Sequence, residues 1–362
     1  MTESFYTRLR KKQRGVALVT ALLIVSLATI MAVELTSRQY MDIRRTGNIM
    51  ASDQAYLDAI AAETFAGLAL ANYRDAGQNK YDSQLDFTGA LFQLSGFLSG
   101  EGRQVAIEPV YPESKFNVNT LVRADGKVNE PQEKIYRRLL NSVVLELGGD
   151  AGQVSSLVSS LLDWIDEDEE ARIDGAEDSI YESKDRPYKA ANRMLASITE
   201  LRLVEGYTEE LLDGIPADEE NEIEAINGLL SYLDALPDIE STINVNLVSE
   251  PKIFTALATY LDEEMALALI DSQPFENLGE FKGHETFETI KREDVAGGGP
   301  NYKDLMKTIK GYVGLEVQSS YFLIKTNVAV GKTVISLNSL VYVNTAGTDL
   351  EVISRAIGTN GI

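Results

Sequence analysis

Residues 16–33 (VALVTALLIVSLATIMAV) carry no charge. At 1.5 Å per residue they predict a helix about 27 Å long, close to the hydrocarbon thickness of a bilayer. Residues 51–72 keep apolar side chains at helical spacing without a proline, which predicts that the helix continues past the apolar run. The period then changes. Residues 103–111 (RQVAIEPVY) alternate as a strand does, and 315–330, 333–344 and 349–356 are three further strand-like runs near the C-terminus. Gly331-Lys332 suits a two-residue hairpin turn, and 344–348 (NTAGT) a longer one. A long N-terminal helix on an antiparallel meander is an α/β (α+β) arrangement. Residues 111–300 lie between its parts, read mainly as helices, and are far too many for a loop.

Composition narrows the function classes. The chain has 362 residues, 44% hydrophobic and 25% charged, an ordinary globular balance. Its 33 basic and 56 acidic side chains give a net charge of −23, which counts against nucleic acid as a partner. The absence of cysteine excludes disulfides, thiolate metal sites and cysteine catalysis. The single histidine, His284, in a polar stretch, leaves little for a Ser-His-Asp or multi-histidine zinc site.

The segment before the apolar run is basic: Arg8, Arg10, Lys11, Lys12 and Arg14 against Glu3. The positive-inside rule keeps that side cytoplasmic and sends the remainder outside. An ordinary signal peptide is cut after its apolar region. Here Arg14-Gly15 precedes it, and this arrangement resembles the leader of type IV pilins and type II secretion pseudopilins. The resemblance implies cleavage by a prepilin peptidase between Gly15 and Val16, with methylation of the new N-terminus. Most members of those families carry a glutamate at the fifth mature position, and Thr20 stands there in this chain. A carboxylate inside the membrane is costly unless paired. Its absence suggests a subunit with nothing ahead of it, and the minor pseudopilin K family typically lacks that glutamate.

The densest chemistry lies in residues 161–192. Between 163 and 178 stand Asp163, Asp166, Glu167, Asp168, Glu169, Glu170, Asp174, Glu177 and Asp178, against Arg172 alone. So many carboxylates repel one another unless solvated or bridged by a cation, and calcium accepts six to eight oxygens in irregular loops. Asp166, Asp168, Glu170, Asp174 and Glu177 fall at positions 1, 3, 5, 9 and 12 of an EF-hand-like frame, but Ala171 replaces the glycine at position 6. A solvated acidic helix end accounts for the spacing as well. Trp164 and Tyr181 bracket the run as residues that should bury, and Gly175 lets the chain fold back. The strings D-W-I-D and G-A-E-D-x-x-Y, with the later Tyr188, Ala191 and Asn192, resemble the minor pseudopilin K family. That resemblance implies calcium in the inserted domain, with Asp166, Asp168, Asp174, Glu177 and Asp178 as candidate ligands.

The resemblance orders the chain as a leader (1–15), a transmembrane helix and first part of a pilin-like domain (16–110), an inserted helical domain (111–300) and a C-terminal β part (301–362). It implies a structural role, not an enzymatic one: a minor pseudopilin at the pseudopilus tip, inserted once in the inner membrane with its bulk periplasmic. Its partners would be other minor pseudopilins, the major pseudopilin and prepilin peptidase. A minor type IV pilin and a membrane-anchored calcium-dependent hydrolase are the rival readings. Two strings echo one another, Phe116-Asn117-Val118-Asn119 and Ile243-Asn244-Val245-Asn246. The second precedes helical patterns at 253–261 and 264–272, vaguely like a helix-hairpin-helix, but the turn between them is acidic and lacks glycine. Residues 329–333 (AVGKT) mimic the end of a phosphate-binding loop, yet Thr326 stands where its first glycine belongs. Residues 217–224 (ADEENEIE) read as solvated surface, and Gly297-Gly298-Gly299-Pro300 as a connector returning to the β part.

Overall fold

The computed structural model describes residues 4–75, 82–100, 102–217, 224–258, 261–287, 314–344 and 350–358. The acidic run at 218–223, the Gly297–Pro300 connector and residues 345–348 of the long turn lie outside them. One helix, α1 (Ser4–Asp75), is continuous through the apolar run and beyond it. Among the described residues it is the one helix long and apolar enough to cross a membrane, and its apolar stretch is bare of protein contacts.

The far half of α1 is built differently. Ala55, Ala59, Ala62 and Ala66 with Leu70 form a fully buried stripe at three- and four-residue spacing. Side chains this small let the helix lie close against a sheet. Gly67 continues the logic, since a Cβ there would come within 2.9 Å of Leu350 Cδ1. The sheet has four strands in chain order: β1 (Arg103–Val110), β2 (Tyr321–Val330), β3 (Thr333–Val343) and β4 (Leu350–Ile357), all antiparallel. Val330 pairs with Thr333 around Gly331, whose φ of 60° a side chain would resist. Val105, Ile107, Phe322, Ile324, Val328, Leu337, Val341 and Val343 face the α1 stripe. A second helix, α2 (Asp82–Leu98), adds Leu91 to this core.

The other core belongs to the inserted chain, around α3 (Glu130–Glu146) and α4 (Val154–Ile165). Short helices follow: α5 (Asp178–Tyr181), α6 (Glu209–Asp213), α7 (Pro251–Leu257), α8 (Glu263–Asp271) and α9 (Leu278–Lys282). Helix α7 stops short of the pattern at 253–261 because the Arg138 guanidinium takes the Ala256 and Leu257 carbonyls at 2.7 and 2.8 Å. The expected strand at 315–330 is in fact two pieces. Leu315–Glu316 pairs in parallel with Ile243–Asn244, within the insert, and the sheet strand starts only at Tyr321. The break comes where buried Glu113 accepts the Ser320 and Tyr321 amides, fastening the start of the insert to its return.

The echoed strings do the same work twice. Asn117 Oδ1 and Asn244 Oδ1 each accept the amide two residues on, at 3.0 Å. Their Nδ2 atoms donate to Ser241 Oγ and Ser319 Oγ. Asn119 bonds both the amide and the carbonyl of Leu195, and Asn246 does so to Phe275. Each clasped residue opens a short helix capped by Ser197 or Asn277. The helix-hairpin-helix likeness of the second string thus belongs to a unit that occurs twice.

Candidate metal centre

Helix α4 delivers the acidic loop. Its last turn carries Asp163 and Trp164, and Asp166 is its C-cap. Trp164 stacks edge-on against Tyr181 with centroids 5.1 Å apart, and Tyr188 completes the cluster. These rings tie the end of α4 to α5, so both ends of the loop rest on rigid packing, as their bracketing positions suggested.

Between those ends the chain turns around Asp163, which is fully buried. The Arg172 amide donates to its Oδ2 at 3.2 Å, and Arg172 Nη1 to its Oδ1 at 2.6 Å. Gly175 N closes the turn onto Arg172 O, and Asp174 takes the left-handed conformation, φ 59°. Gly175 therefore supplies space rather than conformational freedom: a Cβ there would lie 2.0 Å from Asp163 Oδ2.

The loop brings three of the five candidate ligands together. Carboxylate oxygens of Asp166, Asp168 and Glu177 lie within 4.8 Å of one another. Calcium–oxygen bonds of 2.3–2.6 Å place opposed ligands about 5 Å apart, so one ion bridges such a group. These three occupy positions 1, 3 and 12 of the EF-hand-like frame. Asp178 is engaged elsewhere, on Lys189 Nζ at 2.6 Å and the Ala190 amide at 2.9 Å. Asp174 serves the turn and stands outside the group, and exposed Glu170 lends its amide to Asp168 Oδ1.

The hydrogen-bond accounting of this group does not close. Asp166 and Glu177 are 2% and 4% exposed, yet Asp166 Oδ1 and both Glu177 oxygens have no partner among the described residues. Beside them Asn192 donates through Nδ2 to the Asp168 carbonyl, and its Oδ1 is also buried and unpartnered. Four orphan acceptors are a costly arrangement unless something positive fills it. Burial, reinforced by Asp163, Asp166, Asp168 and Asp178, pushes the Glu177 carboxyl up to about 7. Burial also raises Asp166, against the opposing pull of Arg172. Carboxylates and an amide oxygen are hard donors suited to calcium, and the residues present fit that ion. Sequence reasoning missed Asn192 as part of this group, because its φ of 45° and the fold-back that brings it to Asp168 leave no spacing signal.

At the other end of the molecule Gly15 and Val16 lie within α1. Thr20 Oγ1 donates into its own helix, 3.1 Å from Val16 O and 3.0 Å from Ala17 O.

A long apolar helix continuous with a helix-on-sheet domain, interrupted by a helical insert with an acidic loop, defines a pilin-like subunit carrying an inserted domain. Residues 114–216 match the family model described as type II secretion system (T2SS), protein K. Type II secretion system protein K of Pectobacterium carotovorum subsp. carotovorum is 28% identical over 97% of this chain and 98% of its own. That of Pseudomonas aeruginosa is 29% identical over 98% and 96%. Among solved structures, the GspK-GspI-GspJ complex of the enterotoxigenic Escherichia coli type 2 secretion system matches with a TM-score of 0.61 at 23% identity, covering 87% of this chain and 100% of that one. By these likenesses the chain is a minor pseudopilin, similar over nearly its whole length to type II secretion system protein K.

Proposed function

We propose that this minor pseudopilin sits at the tip of the pseudopilus, where it starts or caps the filament that drives export of folded proteins. It crosses the inner membrane once, with the leader cytoplasmic and the sheet and insert periplasmic. Prepilin peptidase cuts between Gly15 and Val16 and leaves the apolar stem to join a helical stack with other minor pseudopilins and the major one. The solved neighbour is a complex of GspK with GspI and GspJ, which supports partners of that kind. Thr20 carries the tip reading. Its hydroxyl is satisfied on its own helix and offers no carboxylate to a subunit ahead. The bulk of the insert agrees, since a shaft position would make it collide with neighbours. The role is assembly, not catalysis.

Calcium in the acidic loop would supply the missing partner for Asp166 and Glu177, with Asp168 and Asn192 beside them. Bound there, it holds the loop to the body of the insert and adds its binding free energy to folding.

The N-terminal residue of membrane-extracted protein tests the processing step. Mass spectrometry should find methylated Val16, and an intact Met1 refutes it. Labelled protein should mark filament ends; label distributed along the shaft removes the tip assignment. For the ion, melting of the detergent-solubilised chain should fall in chelator, and equal melting temperatures remove the metal.

A further inference from the structure

The calcium reading leaves Arg172, the one cation in the acidic run, without a role. Its placement is specific. The backbone amide and Nη1 both fix on Asp163, which has no exposure, so the residue is held at two points on one carboxylate. The same Nη1 also pairs with Asp166 Oδ2. The other oxygen of Asp166, Oδ1, is one of the buried atoms without a partner among the described residues. Arg172 therefore uses the carboxylate oxygens that the proposed site does not need and leaves free those it does.

Resting on the calcium reading, we propose that Arg172 is the positioning residue of the ion site: clamped on Asp163, it orients Asp166 so that Oδ1 faces the ion. Gly175 is part of the same device, because only a residue without a side chain lets the turn of 172–175 close over the Asp163 carboxylate. Arginine suits the task. It keeps its charge at every working pH, and the two protons of its Nη1 serve both carboxylates at once. Outer partners of this kind fix the orientation of the groups that touch the metal.

Electrostatics alone predicts the opposite sign. Removing a positive charge beside a dication strengthens its attraction to the remaining carboxylates. The sign of the change on substitution therefore separates a positioning group from a mere repelling charge.

The experiment is calcium titration by calorimetry on the full chain in detergent, with wild type, Arg172→Gln and Arg172→Lys. Near-ultraviolet dichroism of Trp164, the only tryptophan, checks that each variant is folded. Arg172→Gln should weaken calcium about 10–100-fold, the range for loss of an outer-sphere partner. Arg172→Lys, which keeps the charge but not the reach and planarity of the guanidinium, should recover part of that loss. Terbium in place of calcium gives a readout that general destabilisation does not move: its luminescence lifetimes in light and heavy water count bound waters. Arg172→Gln should gain about one, as Asp166 swings away and water takes its position. Calcium binding by Arg172→Gln that is equal to or tighter than wild type overturns the proposal, as does an unchanged water count. A wild type that binds no calcium instead overturns the reading beneath it, whatever Arg172 does.

Discussion

Glu63 tests how the stalk helix is fastened to the sheet. It lies in the alanine stripe of α1 and is 4% exposed. Arg355 of β4 donates to it through Nε and Nη2, both at 2.8 Å, and Ser339 Oγ of β3 donates to the same carboxylate. Burial alone would raise this carboxyl, but the hydrogen bonds from Arg355 and Ser339 and the charge of Arg355 hold it below its ordinary value. The two partners are not equivalent, because the Arg355 side chain is 44% exposed. Glu63→Ala frees a guanidinium that can turn to water and strands the Ser339 hydroxyl, a loss of about 2–3 kcal/mol. Arg355→Ala strands a buried carboxylate, which costs about 3–5 kcal/mol. Amide exchange of β3 and β4 by mass spectrometry, on the detergent-solubilised chain, reads this locally. At about 1.4 kcal/mol per tenfold, protection should fall roughly 30- to 100-fold in the first variant and further in the second. The pH dependence carries a second sign. In wild type the contribution is present above the unfolded carboxyl pKa and is lost as pH falls through the lowered folded value. In Arg355→Ala protonation relieves the stranded carboxylate, so its deficit should shrink between pH 7 and 5. Greater damage from Glu63→Ala than from Arg355→Ala, or a deficit in the latter that grows on acidification, refutes this account.

In chelator, the folded-state value of Glu177 near 7 lies above the unfolded one, so the insert should lose stability as pH rises from about 4.5 to 7 and level off above; melting of Glu177→Gln should fall less steeply over that window. Saturating calcium should invert the wild-type trend, because protons compete with the ion. Gly175→Ala should displace Asp163 or break the turn, costing about 2 kcal/mol or more by chemical denaturation and weakening calcium as well. Asn119→Ala removes three buried hydrogen bonds of 2.8–3.0 Å and should destabilise the insert by about 2–3 kcal/mol. Asn246→Ala should cost less, because Asn246 is only half-buried.

The outline of the molecule was legible where period and length speak. The apolar run of α1, the hairpin at Gly331 and the strand at 103–110 follow from patterns a few residues long. Position 315 failed because Leu315 and Tyr321 read as one apolar alternation. Only the distant carboxylate of Glu113, taking the Ser320 and Tyr321 amides, shows that they belong to different layers. The site was legible as composition but not as geometry. Nine acids in sixteen residues suit a bridging cation or a solvated loop alike, and spacing does not tell Asp178, paired with Lys189, from Glu177, buried with no partner among the described residues. Asn192 is beyond any spacing rule, since it reaches Asp168 by a fold-back of 24 residues.

The repeated asparagine clasp explains how such a loop can be carried at all. In the second unit α8 ends at Asp271 and the clasped Phe275 follows after Ser272, Gln273 and Pro274. In the first, α4 ends at Ile165 and the clasped Leu195 follows only after residues 166–194. The same two fixed points, a helix end and an asparagine-held backbone, are joined by three residues in one unit and by the whole acidic loop in the other. Loop closure grows only logarithmically with length, so a longer connection between fixed ends costs little. Crowding carboxylates within it is the expensive part, and the divalent ion proposed above would offset that cost. Ion dependence should therefore be confined to the first unit: on chelation, exchange should rise around residues 154–207 while α7, α8 and the Asn246 clasp keep their protection. Equal loss in both units would mean that the ion holds the insert together as a whole, and that the loop is integral to the fold.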